Sequence, residues 1–84
     1  MFDIEFSPKV SKSFFKLDKQ TQERISGSLD RIRIRPFSFV KKVVGTKMFA
    51  LRSGDYRHIL EIKKNKLIIL VIELGHRRTI YKSI

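Results

Sequence analysis

The first apolar positions of the chain, Phe2, Ile4 and Phe6, alternate with Asp3 and Glu5. A period of two is that of a strand with one buried and one wet face. At Ser7-Pro8 the pattern changes. Serine caps a helix through its side-chain oxygen, and proline suits the first helical position, where no backbone donor is required. Val10, Phe14 and Leu17 follow at spacings of four and three, which predicts a helix with one apolar side, while Lys9, Lys12, Lys16 and Lys19 make a stripe elsewhere on its circumference. Asp18 predicts the cap of a second helix after a very short turn; Gln22, Ile25, Leu29 and Ile32 line it up to about Arg33, and Pro36 ends it. Gly27 inside this helix costs about 1 kcal/mol relative to alanine, which predicts close packing against a neighbour at that point.

The remainder reads as strand. Phe37 to Lys47 predicts a connection with a short helical or extended piece, held to the core by Phe37, Phe39 and Val43. Met48–Arg52 and Tyr56–Lys63 have strand character and flank a tight turn at Ser53-Gly54-Asp55, where glycine accepts positive φ and aspartate hydrogen-bonds its own backbone. Lys64-Asn65-Lys66 is a second turn. Leu67 to Glu73 opens with six consecutive apolar residues and predicts a central strand; Gly75-His76 reads as a break, and Arg78–Lys82 as a last short strand. The order predicts an α+β fold in two layers: an N-terminal strand, a helical hairpin, and a mostly antiparallel sheet of three or four further strands. With no repeat or linker, residues 1–84 read as one domain with one modest core.

Charge adds a partner to this picture. Lys and Arg total 19 against 8 Asp and Glu, a formal net charge of +11, so the partner should be anionic. The charge is spread over helices and strands, unlike that of a basic amphipathic membrane helix, and no apolar run approaches the roughly 20 residues that span a bilayer. No membrane partner is expected. The absence of cysteine excludes disulfides and thiolate metal sites and suits a reducing cytoplasm, and no export signal is visible.

Three groups place arginine beside an aromatic residue or a turn: Arg52, then Tyr56-Arg57, then His76-Arg77-Arg78 with Tyr81. Such a set suits cleavage of an RNA phosphodiester, in which a 2′-hydroxyl attacks phosphorus and arginine forks stabilise the charge that builds on the non-bridging oxygens. Neither metal nor cofactor is needed. Tyr81 is the candidate to orient or deprotonate the hydroxyl; His76 has the better pKa for acid–base work, yet a histidine beside a glycine is commonly structural. His58, within a strand, reads as structural, and Tyr56 as packing. No glycine-rich phosphate loop, histidine pair at metal-ligand spacing or serine nucleophile motif is present.

The segments Leu51-Arg52-Ser53-Gly54-Asp55-Tyr56-Arg57 and Gly75-His76-Arg77-Arg78-Thr79-Ile80-Tyr81, with the Ser-Pro helix start and the Pro-Phe-Ser after the helices, resemble the RelE/ParE toxins of type II toxin–antitoxin modules. RelE-like members are ribosome-dependent interferases that cut messenger RNA, ParE-like members poison DNA gyrase, and both are held inactive by an antitoxin. The resemblance implies Arg57, Arg77 and Tyr81 as catalytic residues; Lys47, Arg52, Arg78 and His76, charged or titratable neighbours of these motifs, are expected to contact RNA. It implies a RelB-like antitoxin, the ribosome and mRNA as partners, and no small-molecule cofactor. Two lysines of the best-known interferase fall here on Met48 and Ala50, and a second tyrosine of the family's Tyr-Arg-x-x-Tyr on Leu60. Two alternatives accompany the interferase reading: a gyrase-directed toxin and a basic nucleic-acid-binding module without catalysis.

Overall fold

A computed structural model describes residues 1–76 of the chain. Its elements are β1 (Asp3–Phe6), α1 (Pro8–Phe15), α2 (Lys19–Ile34), β2 (Val40–Lys42), β3 (Phe49–Ser53), β4 (Tyr56–Lys63) and β5 (Ile68–His76). The helix starts follow the local chemistry. Ser7 Oγ accepts from the Val10 amide at 3.2 Å, with Pro8 in the first turn. At α2 the Asp18 carboxylate accepts from the Thr21 amide at 3.1 Å and from the Thr21 hydroxyl at 2.6 Å, and these bonds hold its pKa below the usual aspartate value. Gln22 serves the hairpin through its amide, which donates to the Phe14 and Leu17 carbonyls at 3.0 Å each and so ties the end of α1 to the start of α2.

The strands form one five-stranded sheet in the order β1-β5-β4-β3-β2. β2, β3, β4 and β5 pair antiparallel, whereas β1 lies parallel to β5 with Ile4 opposite Ile69 and Phe6 opposite Val71. A parallel pair needs a long crossover, which here includes the helical hairpin. The helices contribute Val10, Phe14, Ile25, Leu29 and Ile32 to a core completed by Leu51, Leu60, Ile69 and Val71 of the sheet. Phe6 and Phe14 meet at 5.2 Å between ring centroids, and a backbone bond from Phe2 N to Arg33 O, with Arg33 Nε donating back to Phe2 O, fastens β1 to the end of α2.

Several expectations change. The α+β architecture is as expected, with the N-terminal strand and four further strands in one sheet, but one of the four is Val40–Lys42, inside the mixed connection, which pairs with Leu51–Phe49 as an edge strand. Gly75 and His76 do not break the strand: they continue β5, opposite Arg57 and Tyr56, with a bulge at Ile59/Leu60 absorbing the shift in register. Gly27 has nothing within 4 Å of where a side chain would begin, so no close neighbour explains it. Phe37 and Phe39 remain 45% and 50% exposed and sit outside the core. The expected strand at Arg78–Lys82 lies outside the described residues. Among the described residues no helix is long and apolar enough to cross a membrane.

Candidate functional site

The turn at Ser53-Gly54-Asp55 joins β3 to β4 with Gly54 at φ +60°, where an L side chain is strained. Space is also lacking there. A Cβ on Gly54 would lie 3.0 Å from Arg24 Nη1, so α2 packs an arginine against the turn. Arg52 folds back over the same turn, its Nε donating to Gly54 O at 3.2 Å. The hairpin register places Arg52 directly opposite Arg57 and Ala50 opposite Ile59. By the alternation of a strand, these residues share the face turned away from the helices.

On that face Arg52 and Arg57 line a groove of about 410 Å³ together with Phe39, Lys41, Lys42, Val43, Val44 and Ala50. Like charges directly opposite one another in a ladder repel, and this pairing concentrates guanidinium groups on one side of the hairpin. Lys41 stands across the β2–β3 ladder from Ala50 and brings an ammonium group beside a position where the resembling interferase has a lysine. Neither Lys41 nor Phe39 is singled out by sequence reasoning. The signal would have been the pairing of β2, which no local pattern announces.

The opposite face of the same hairpin is buried. His58 is fully buried, and its Nε2 lies 2.8 Å from Ser53 Oγ. Burial pushes its pKa down to about 4, so the ring is neutral at pH 7 and serves structure rather than proton transfer. Tyr56, half-buried, packs edge-on to His76 at 5.9 Å, and the two are register partners at the end of β4 and β5.

Of the expected site residues, Arg52 and Arg57 come together. His76 joins Tyr56 at the same end of the sheet. Lys47 is exposed in the β2–β3 loop, by the opposite end of β3 from Arg52. Met48 and Ala50 are half-buried. Arg77, Arg78 and Tyr81 lie outside the described residues; Arg77 follows His76 directly in sequence, and Gly75 is the register partner of Arg57. Among the described residues no group of histidines and carboxylates could hold a metal ion.

Comparison with known proteins places this geometry. The model of the ParE toxin of type II toxin–antitoxin systems, parDE, matches residues 4–81. The toxin–antitoxin complex RelBE of E. coli is similar at a TM-score of 0.80 and 23% identity, over 90% of this chain and 96% of that one. The archaeal RelE–RelB complex of Pyrococcus horikoshii OT3 matches at 0.77 and 25% identity, over 90% and 94%. The isolated E. coli RelE toxin matches over the full length of both chains, at 0.79 and 19% identity. No sequence among the curated proteins matches. A match over nearly the whole chain, on a fold shared with RelE, identifies this chain as a member of the ParE toxin family within the RelE/ParE superfamily, a toxin of a type II toxin–antitoxin system.

Proposed function

We propose that this toxin is a metal-independent endoribonuclease that cuts messenger RNA on the ribosome, in the cytoplasm, and that a RelB-like antitoxin holds it inactive. One observation carries the reading: Arg52 and Arg57 stand opposite each other on the face of the sheet turned away from the helices, in a groove whose other wall is lysine-bearing β2. A cleft lined by guanidinium and ammonium groups binds a phosphodiester and stabilises the charge that develops on its oxygens during attack by the 2′-hydroxyl. Arg57 holds the scissile phosphate with Arg77, and Tyr81 orients the attacking hydroxyl, by the match of Gly-x-Tyr-Arg and Gly-His-Arg to the family's motifs. Arg52, Arg78 and His76 contact the flanking chain, and Lys41 supplies the ammonium that Ala50 cannot. Lys47 contacts RNA further along β3. Association with the ribosome draws on the charge of +11 through counterion release.

The test is to induce the toxin without antitoxin and map the 5′ ends of cellular messages. Translation-dependent cuts should appear and fall by about 10²- to 10³-fold in Arg57→Ala and Arg77→Ala, the usual cost of removing a group that stabilises an oxyanion. Tyr81→Phe should lower them as well. Cuts undiminished in all three variants would sink the assignment.

A second reading, a toxin directed at DNA gyrase, is favoured by the family model that matches, which is that of ParE, and by Met48 and Ala50 at the interferase lysine positions. Inhibition of gyrase supercoiling by the purified toxin, with no cuts in messages, would select it.

A further inference from the structure

Phe39 has no place in the core, yet it stands half-exposed on the wall of the arginine groove. Its neighbour in sequence but one, Phe37, is differently employed. Phe37 packs edge-on to Phe49 at 5.4 Å and carries the Lys64 ammonium 4.8 Å above its ring. Phe39 instead meets Arg31 of α2, whose guanidinium carbon lies 5.7 Å from the ring centroid. Among the described residues it is the one aromatic side chain lining a groove otherwise walled by Lys41, Lys42, Arg52, Arg57 and small or aliphatic side chains.

A bare phosphate has no use for that ring. A nucleotide has, because it joins a phosphate to a flat π-face, and base–aromatic stacking contributes about 1–3 kcal/mol per base whatever the base. Ala50 contributes only a methyl group to the lining, and the groove encloses about 410 Å³, more than a planar base needs. In a duplex the base faces are taken up by neighbouring bases, so this combination selects a single strand. The Arg31 guanidinium adds positive charge beside the Phe39 ring.

We infer that Phe39 is a stacking platform for a nucleobase of single-stranded RNA whose phosphate lies on Arg52 and Arg57, so that the groove recognises an unpaired nucleotide without reading its sequence. This rests on the RNA-cleaving reading above and assigns the subsite next to the phosphate.

The chain has no tryptophan, so Phe39→Trp places a single tryptophan, excited selectively at a wavelength beyond the absorption of the two tyrosines, at the site. The free toxin variant is titrated with a 2′-O-methyl hexaribonucleotide, which lacks the attacking hydroxyl, and with an abasic chain of the same length; a fluorescent end label reports binding independently. The expected result is quenching by the hexamer and none by the abasic chain. Phe39→Ala should weaken hexamer binding about tenfold and leave the abasic chain unaffected, while Phe39→Tyr binds as the parent does. Equal binding of the two chains by the parent toxin, or equal weakening of both by Phe39→Ala, overturns the stacking subsite while message cleavage in cells stands. Failure to bind either chain, with no cuts in cells, removes the RNA reading and the subsite together.

Discussion

His58 and Ser53 are the sequence neighbours of Arg57 and Arg52, but they face the core, and the 2.8 Å bond between them closes the hairpin beneath the two guanidinium groups. Two like charges held opposite each other need such a clamp. The imidazole must stay neutral to remain there. Its folded-state pKa of about 4 lies below the usual 6.5, so the unfolded chain takes up the proton first. The stability that His58 contributes is complete above about pH 6.5 and is lost as the pH falls from there toward 4. Urea unfolding at pH 7 and pH 4.5 should show about 2–3 kcal/mol more acid destabilisation in the parent than in His58→Gln. An equal response of the two proteins would mean that His58 takes up no proton in this range on unfolding. Ser53→Ala, which strips Nε2 of its partner, should cost about 1–3 kcal/mol at pH 7.

Among the elements, those whose signals are local were legible. Ser7-Pro8 and Asp18 cap α1 and α2 as their side-chain chemistry requires, and the strand Tyr56–Lys63 was read with its observed bounds. What was not legible depends on partners far along the chain. Nothing in Val40-Lys41-Lys42 marks a strand until Leu51, Ala50 and Phe49 are set beside it, and with β2 unseen, Lys41 and Phe39 had no groove to line. Gly75-His76 carries a breaker's composition, but pairing with Tyr56 and Arg57 keeps it extended. Of the site, Arg52 and Arg57 were readable because one turn joins them. A glycine within a helix predicts close packing, yet the space around Gly27 is open. Since its φ is not in the left-handed region, Gly27→Ala should stabilise α2 by about 1 kcal/mol and raise Tm by about 4–8 °C, measurable by calorimetry. A lower Tm would show that something needs the bare backbone there.

The whole molecule carries +11 on 84 residues, and its charges act in opposite senses on folding and on binding. Exposed ion pairs such as Lys9–Glu73 at 3.0 Å contribute little against this excess. Raising sodium chloride from 50 to 500 mM should therefore raise Tm by screening self-repulsion, while affinity for a single-stranded RNA falls along a straight line in log K against log salt. A Tm that falls with salt would mean that attractive pairs dominate. The sheet order has a further effect, on the time at which the fold can exist. Within the described sheet β1 has one neighbour, β5, and their paired residues, such as Asp3 and Ile68, are about 65 positions apart. Synthesis delivers β1, the helices and the three other strands before it delivers Ile69 and Val71, two of the four buried sheet residues on which the helical hairpin packs. A growing chain therefore cannot complete the sheet or join β1 to it until β5 emerges from the exit tunnel, and the finished fold comes only with the last strand of the described sheet.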